Sequence, residues 1–126
     1  MGDLARRIAA TEHWPELAET ELAGAVGHGP PLAVFFPGAA ASRRETDDVA
    51  VVLRELARAG HVRAATIGAG EGAAKRRFGV VAAPSLLVMG RGGTRVVPLI
   101  ADWGDYLTAI EAVAAPATAD QEGAPA

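Results

Sequence analysis

FGVVAAPSLLVMGRGG, residues 78–93, is the stretch on which the reading of the whole chain turns. Phe78-Gly79 closes a helix, because glycine is the residue most often found just past a helix end. Pro84 then sits in a turn. SLLVM, 85–89, is an apolar run of strand length, and GRGG, 90–93, supplies the glycines of a tight hairpin turn. TRVVPLI, 94–100, returns as a second strand. Pro98 cannot donate to a ladder, so this last strand is expected at a sheet edge or bent at the proline.

Upstream, LAVFF, 32–36, is a continuous apolar run bounded by GHGPP, 27–31, and Pro37-Gly38. Such a run suits a strand buried on both faces. From Arg44 to Ala59, Val49, Val52, Leu53 and Leu56 recur at i, i+3, i+4 and i+7, which predicts a helix with Arg54, Glu55 and Arg58 on its wet side. Gly60 should stop it. HVRAATI, 61–67, alternates as a second interior strand, and a Gly-rich turn leads to the short helix AAKRRF. Near the start, Leu4, Ile8 and their alanine neighbours predict a short amphipathic helix. HWPELAETELAGAV, 13–26, follows as an extended piece and then a helix, with Leu17, Leu22 and Val26 inward. At the other end Asp102 is a candidate N-cap for WGDYLTAIEAVAA, with Leu107, Ile110 and Val113 on the buried face. The segment 116–126 is small and polar and is expected to be a disordered tail.

Strands alternating with helices imply parallel crossovers, and the final two strands imply an antiparallel hairpin. The expectation is one α/β domain over residues 1–115, with a mixed four- to five-stranded sheet and helices on both faces.

The 126 residues contain no cysteine, which excludes a disulfide framework, thiolate metal sites and every thiol-based mechanism in this chain. A formal charge of −3 argues against nonspecific nucleic-acid binding. No apolar run approaches the ~20 residues needed to span a bilayer. MGDLARRIAATEHW has an arginine pair but no apolar stretch after it, so it does not read as a secretory signal, and the expected compartment is the cytoplasm.

The order of elements, with a proline just before the terminal hairpin, resembles the thioredoxin fold. The match is specific over residues 78–93. That resemblance implies a cis Ala83–Pro84 bond, with Ala82 and Ala83 presenting backbone groups at the surface. It also places a dithiol at the start of the helix after LAVFF. Anchoring on VLRELA, 52–57, puts Arg43 to Thr46 where the thiols would sit. These residues cannot exchange disulfides, so the proline belongs to a scaffold whose redox chemistry is missing.

A narrower resemblance runs to about Pro116. The short first helix, HWPELAETEL, the cysteine-free loop after LAVFF, the LRELARAG helix, FGVVAAPSLLV and Asp102-Trp103 at the last helix are similar, in this order, to the HyaE/HupG group of hydrogenase expression accessory proteins. This implies a redox-inactive protein without cofactor that assists maturation of uptake [NiFe] hydrogenase. The implied partner is the small-subunit precursor with its twin-arginine export signal, and possible further partners are other hydrogenase accessory proteins. Ala82, Ala83 and Pro84 would pair with an incoming extended segment. Arg43, Arg44, Glu45, Thr46, Asp47 and Asp48 would flank it and set selectivity. The charge mixture of RRETDD departs from the acidic loop that some members carry. The alternative is a redox-inactive thioredoxin-like interaction module with a different partner.

Other signals are weaker. GAGEGAA, 68–74, fits G-x-G-x-x-A after a strand, but Met89, Gly90 and Arg91 stand where a ribose-binding acid is needed, so it reads as a strand-to-helix turn. His13, His28 and His61 lack metal-ligand spacing. Ser42 and Ser85 have no nucleophile elbow or evident base. Asp47 and Asp48 near a helix start complement its dipole; alternatively, with Glu45, they hold a partner's arginine pair. Trp103 and Tyr106 read as core or boundary packing.

Overall fold

The computed structural model describes residues 3–39 and 42–114. The expectation of a disordered tail over 116–126 lies outside the described residues. Elements run α1 (Asp3–Thr11), β1 (Glu16–Leu17), a single 3-10 turn (Glu19–Glu21), α2 (Leu22–Ala25), β2 (Leu32–Phe36) and α3 (Arg43–Arg58). They continue with β3 (Arg63–Ile67), α4 (Glu71–Phe78), β4 (Ser85–Gly90), β5 (Gly93–Pro98) and α5 (Trp103–Ala114). The sheet has five strands in the order β1-β3-β2-β4-β5. β3 is parallel to both β1 and β2, whereas β4 is antiparallel to β2 and β5. This is the thioredoxin-like mixed sheet expected from the sequence.

Every residue of β2 is buried, because the strand lies between two neighbours and has helices above and below. Its alternation sorts the two halves of the core. Ala33 and Phe35 pack with α1, α3 and α5, while Leu32, Val34 and Phe36 pack with α2 and α4. β4 divides in the same way, Leu86 and Val88 to one side and Leu87 and Met89 to the other.

Helix ends follow local chemistry. After α3, the Gly60 N–H bonds Ala57 O at 3.0 Å and the His61 N–H bonds Leu56 O at 3.0 Å, a Schellman closure with Gly60 at φ 83°. At α5 the Asp102 carbonyl accepts the Asp105 N–H at 2.9 Å, and the Asp105 carboxylate accepts the Asp102 N–H at 3.3 Å. The hairpin closes with Gly90 opposite Gly93, and Pro98 falls on the edge strand, as its missing donor requires.

Three expectations shift. On α1 the inward residues are Ala5 and Ile8, and Leu4 is exposed, because α1 packs closely on α3 and a methyl fits the contact. The last strand stops at Pro98; Leu99 turns out of it with a left-handed φ of 56°. On α5 it is Tyr106, rather than Leu107, that is fully enclosed with Ile110 and Val113. Among the described residues no helix is long and apolar enough to cross a membrane.

Candidate functional site

Three segments converge at the carboxyl end of β2. The strand delivers Pro37 and Gly38, the first turn of α3 delivers Ser42 to Thr46, and the loop into β4 delivers Pro84. Their meeting point is Gly38. A Cβ built there would lie 2.8 Å from Ser42 Cβ, 3.0 Å from Pro84 Cδ and 3.0 Å from Thr46 Oγ1. Only a residue without a side chain fits.

Thr46 is 1% exposed, and its hydroxyl accepts the Gly38 N–H at 2.9 Å. This residue, aligned by resemblance with the second thiol, thus ties the loop after β2 to the helix. Thr46→Val keeps the volume but leaves the Gly38 N–H without its acceptor. The expected loss is about 1–2 kcal/mol, read as a lowered urea midpoint, with Thr46→Ser restoring most of it.

The Ala83–Pro84 bond is cis. Around it, Ser85 Oγ donates to Ala82 O, and the Leu99 N–H donates to Pro84 O at 2.8 Å. Among the described residues, neither the N–H nor the C=O of Ala83 has a hydrogen-bond partner. Tyr106 fixes the far side, its hydroxyl donating to Leu99 O and accepting the Ala101 N–H, each at 3.3 Å. Burial pushes the Tyr106 phenol above its ordinary range.

The other candidate residues separate. Arg43, Arg44, Glu45 and Asp48 are exposed on the first turns of α3. Asp47 is half-buried, and one of its carboxylate oxygens accepts the Ala5 N–H at 3.1 Å. The acid complements the start of α1, a helix 42 residues away in sequence, as well as standing near the start of its own. The sequence carries no local signal for that pairing. Gly38, by contrast, could have been flagged from the Pro-Gly dipeptide after a buried strand.

The Gly-rich turn at 68–74 has a packing reason. A Cβ on Gly68 would lie 2.7 Å from Glu16 Cγ, and one on Gly70 2.8 Å from Glu19 Cβ. Among the described residues no group of three or more His, Asp or Glu side chains could hold a metal ion.

Residues 4–106 match the family of Hydrogenase-1 expression protein HyaE. The chain is 40% identical over 121 residues to the hydrogenase expression/formation protein HupG of Rhizobium leguminosarum bv. viciae, covering 90% of this chain and 81% of that one. It is also similar to the crystal structure of a hydrogenase expression/formation protein HupG from Rhodopseudomonas palustris, with a TM-score of 0.52 and 36% identity over 79% of this chain and 93% of that one. A thioredoxin-like sheet, a proline loop facing a helix start without thiols, and these similarities over most of its length agree: the chain belongs to the HyaE/HupG-type hydrogenase expression accessory proteins.

Proposed function

We propose that this protein is a non-catalytic chaperone in the maturation of uptake [NiFe] hydrogenase, acting in the cytoplasm on the small-subunit precursor before export. The observation that carries the reading is the state of the Pro84 loop. Ala83 keeps its backbone donor and acceptor unpaired among the described residues, beside a helix start whose inward residue is Thr46. An extended segment arriving there gains main-chain hydrogen bonds, as in strand addition to a sheet. No thiol in the chain can attack it. On this reading the site would hold a polypeptide without thiol exchange.

Arg43, Arg44, Glu45 and Asp48 lie exposed at the helix start and would contact residues flanking the bound segment. The precursor, carrying its twin-arginine signal, is the partner this reading selects. Affinity capture with the full chain in cells maturing the enzyme should enrich the small-subunit precursor over an unrelated exported precursor. Equal recovery of the two would overturn the proposal.

A further inference from the structure

β5 is a free edge of the sheet, since it pairs with β4 and with no other strand. The parity of its backbone follows from one bond just past its end. The Leu99 N–H donates to Pro84 O at 2.8 Å, continuing the register that sets Pro98 opposite Ser85. Opposed residues of an antiparallel pair alternate between bonded and unbonded. Gly93, Arg95 and Val97 therefore bond β4, while Thr94, Val96 and Pro98 turn their backbone groups outward. Among the described residues, no partner takes the N–H or C=O of Thr94 or Val96, or the C=O of Pro98.

Beside this edge runs a groove of about 410 Å³ between β5 and one flank of α5. Val97, Ala101, Thr108 and Ala109 line it, together with Arg95 and Asp105. The two charged residues share the groove without pairing. Arg95 has no hydrogen-bond or ion-pair partner among the described residues, and the Asp105 carboxylate has the Asp102 N–H but no cation. The reason is an offset along the strand. α5 runs antiparallel to β5, with Val113 O on the Gly92 N–H at one end and the Tyr106 hydroxyl on Leu99 O at the other. A rise of about 1.5 Å per residue carries Asp105 about 12 Å back from Val113, roughly level with Val97 and past Arg95. Glu111, the remaining charged residue of the two elements, does not line the groove.

We propose that the β5 edge pairs with the β5 edge of a second copy, antiparallel about a two-fold axis at Val96, so that Arg95 of each copy meets Asp105 of the other. In that register the Val96 N–H of each copy donates to the Val96 carbonyl of the other, and each Thr94 N–H to the facing Pro98 carbonyl. Pro98 serves only as an acceptor there, so its missing donor does not block the ladder. Arg95 lies opposite Val97 of the other copy, the height at which Asp105 stands. Charge fixes the register. Sliding the pairing one bonding step in one direction sets the two Arg95 side chains directly opposite, where like charges repel. Sliding it the other way sets Val96 opposite Pro98 and leaves the Val96 carbonyls without donors. The helices fit the same axis. α5 packs on both β4 and β5, and strands lie about 4.8 Å apart, so the two copies of α5 would run side by side about 10 Å apart. Packed helices stand about 8–10 Å apart, and the alanines of the groove keep that approach open.

The test is sedimentation equilibrium of the full chain and of two variants, Arg95→Glu and Asp105→Lys. The parent should pass from monomer to dimer as its concentration rises to about 1 mM. Each variant alone sets like charges against each other on both sides of the axis and should weaken the dimer by about tenfold or more. Mixed in equal amounts, the two variants should associate with each other to within about threefold of the parent. In the mixed pair each substituted side chain faces one of opposite sign, and the remaining Arg95 and Asp105 face each other. On the parent alone, the Thr94 and Val96 amides should exchange with solvent more slowly as the dimer fills. The proposal is overturned if the parent stays monomeric, if either variant dimerises like the parent, or if mixing restores nothing. It is equally overturned by a dimer that leaves the Thr94 and Val96 amides exchanging as in the monomer, or by a monomer whose β5 amides only a hydrogenase precursor protects. The chaperone reading stands or falls separately, on precursor capture.

Discussion

Arg63→Met is expected to destabilise the protein by about 3 kcal/mol, one of the two largest single-residue losses we foresee. Arg63 opens β3 and is only partly buried, yet each of its three guanidinium nitrogens donates a hydrogen bond to a main-chain carbonyl. Nε donates to Pro30 O at 2.9 Å, Nη1 to Ala25 O at 2.8 Å, and Nη2 to Val26 O. The carbonyls of Ala25 and Val26 are among those that the end of α2 leaves without helical partners. One planar cation therefore closes a helix, holds the GHGPP turn and sets the entry of β2, whose Leu32 lies opposite Arg63 in the ladder. Methionine fills much of the stem's volume but removes the donors of three carbonyls, two of them, those of Ala25 and Val26, part-buried. Lysine should recover at most about a third of the loss, since a single ammonium cannot reach three diverging acceptors. Urea unfolding of the three proteins decides the matter. A methionine variant within about 0.5 kcal/mol of the parent would show that water replaces the guanidinium without cost.

Arg63 also marks the boundary of what the sequence could tell. LAVFF and SLLVM announce themselves as interior strands because each is a continuous apolar run of strand length, and both are buried on two faces. Gly60, Gly79 and the GRGG turn are legible because their chemistry is local: a left-handed backbone at a helix end or a tight hairpin favours glycine wherever the chain goes next. The features that periodicity does not carry all depend on segments distant in sequence. Ala5 displaces Leu4 from the core because α3 approaches α1 closely. Asp47 reaches Ala5, and Arg63 reaches back 38 residues to Ala25. The candidate site divides along the same line. Pro84 and the helix start at 43–46 follow from the family's order of motifs, and the structure brings them together around Gly38. That Thr46 is enclosed and bonded to Gly38, and that Leu99 is strained and exposed, depends on how three loops meet. No pattern in any one of them records it.

Gly90→Ala is the second large loss, expected at about 3 kcal/mol, and the cause is space rather than backbone freedom. Gly90 ends β4 where the last turn of α5 comes down on the hairpin. A Cβ there would lie 2.1 Å from Val113 O and 2.9 Å from Val113 C, distances that backbone atoms cannot yield without moving the helix. The same carbonyl accepts the Gly92 N–H at 3.0 Å, so displacement of α5 also breaks this bond. Val113, Ile110 and Tyr106 lie along the buried face of α5 and would be drawn from the core together. Because Tyr106 holds the Leu99 carbonyl, the shift should reach the Pro84 loop as lost protection of the Leu99 amide in hydrogen exchange. Gly104 provides the internal control. It is also a glycine beside α5 chemistry, being within that helix, but a Cβ there would meet nothing within 4 Å. Gly104→Ala should stabilise by roughly 0.5–1 kcal/mol through the loss of unfolded-chain freedom. Opposite signs for the same one-methyl change, measured by denaturant midpoint, would locate the effect in the contact between α5 and the hairpin; equal signs would remove that contact from the account.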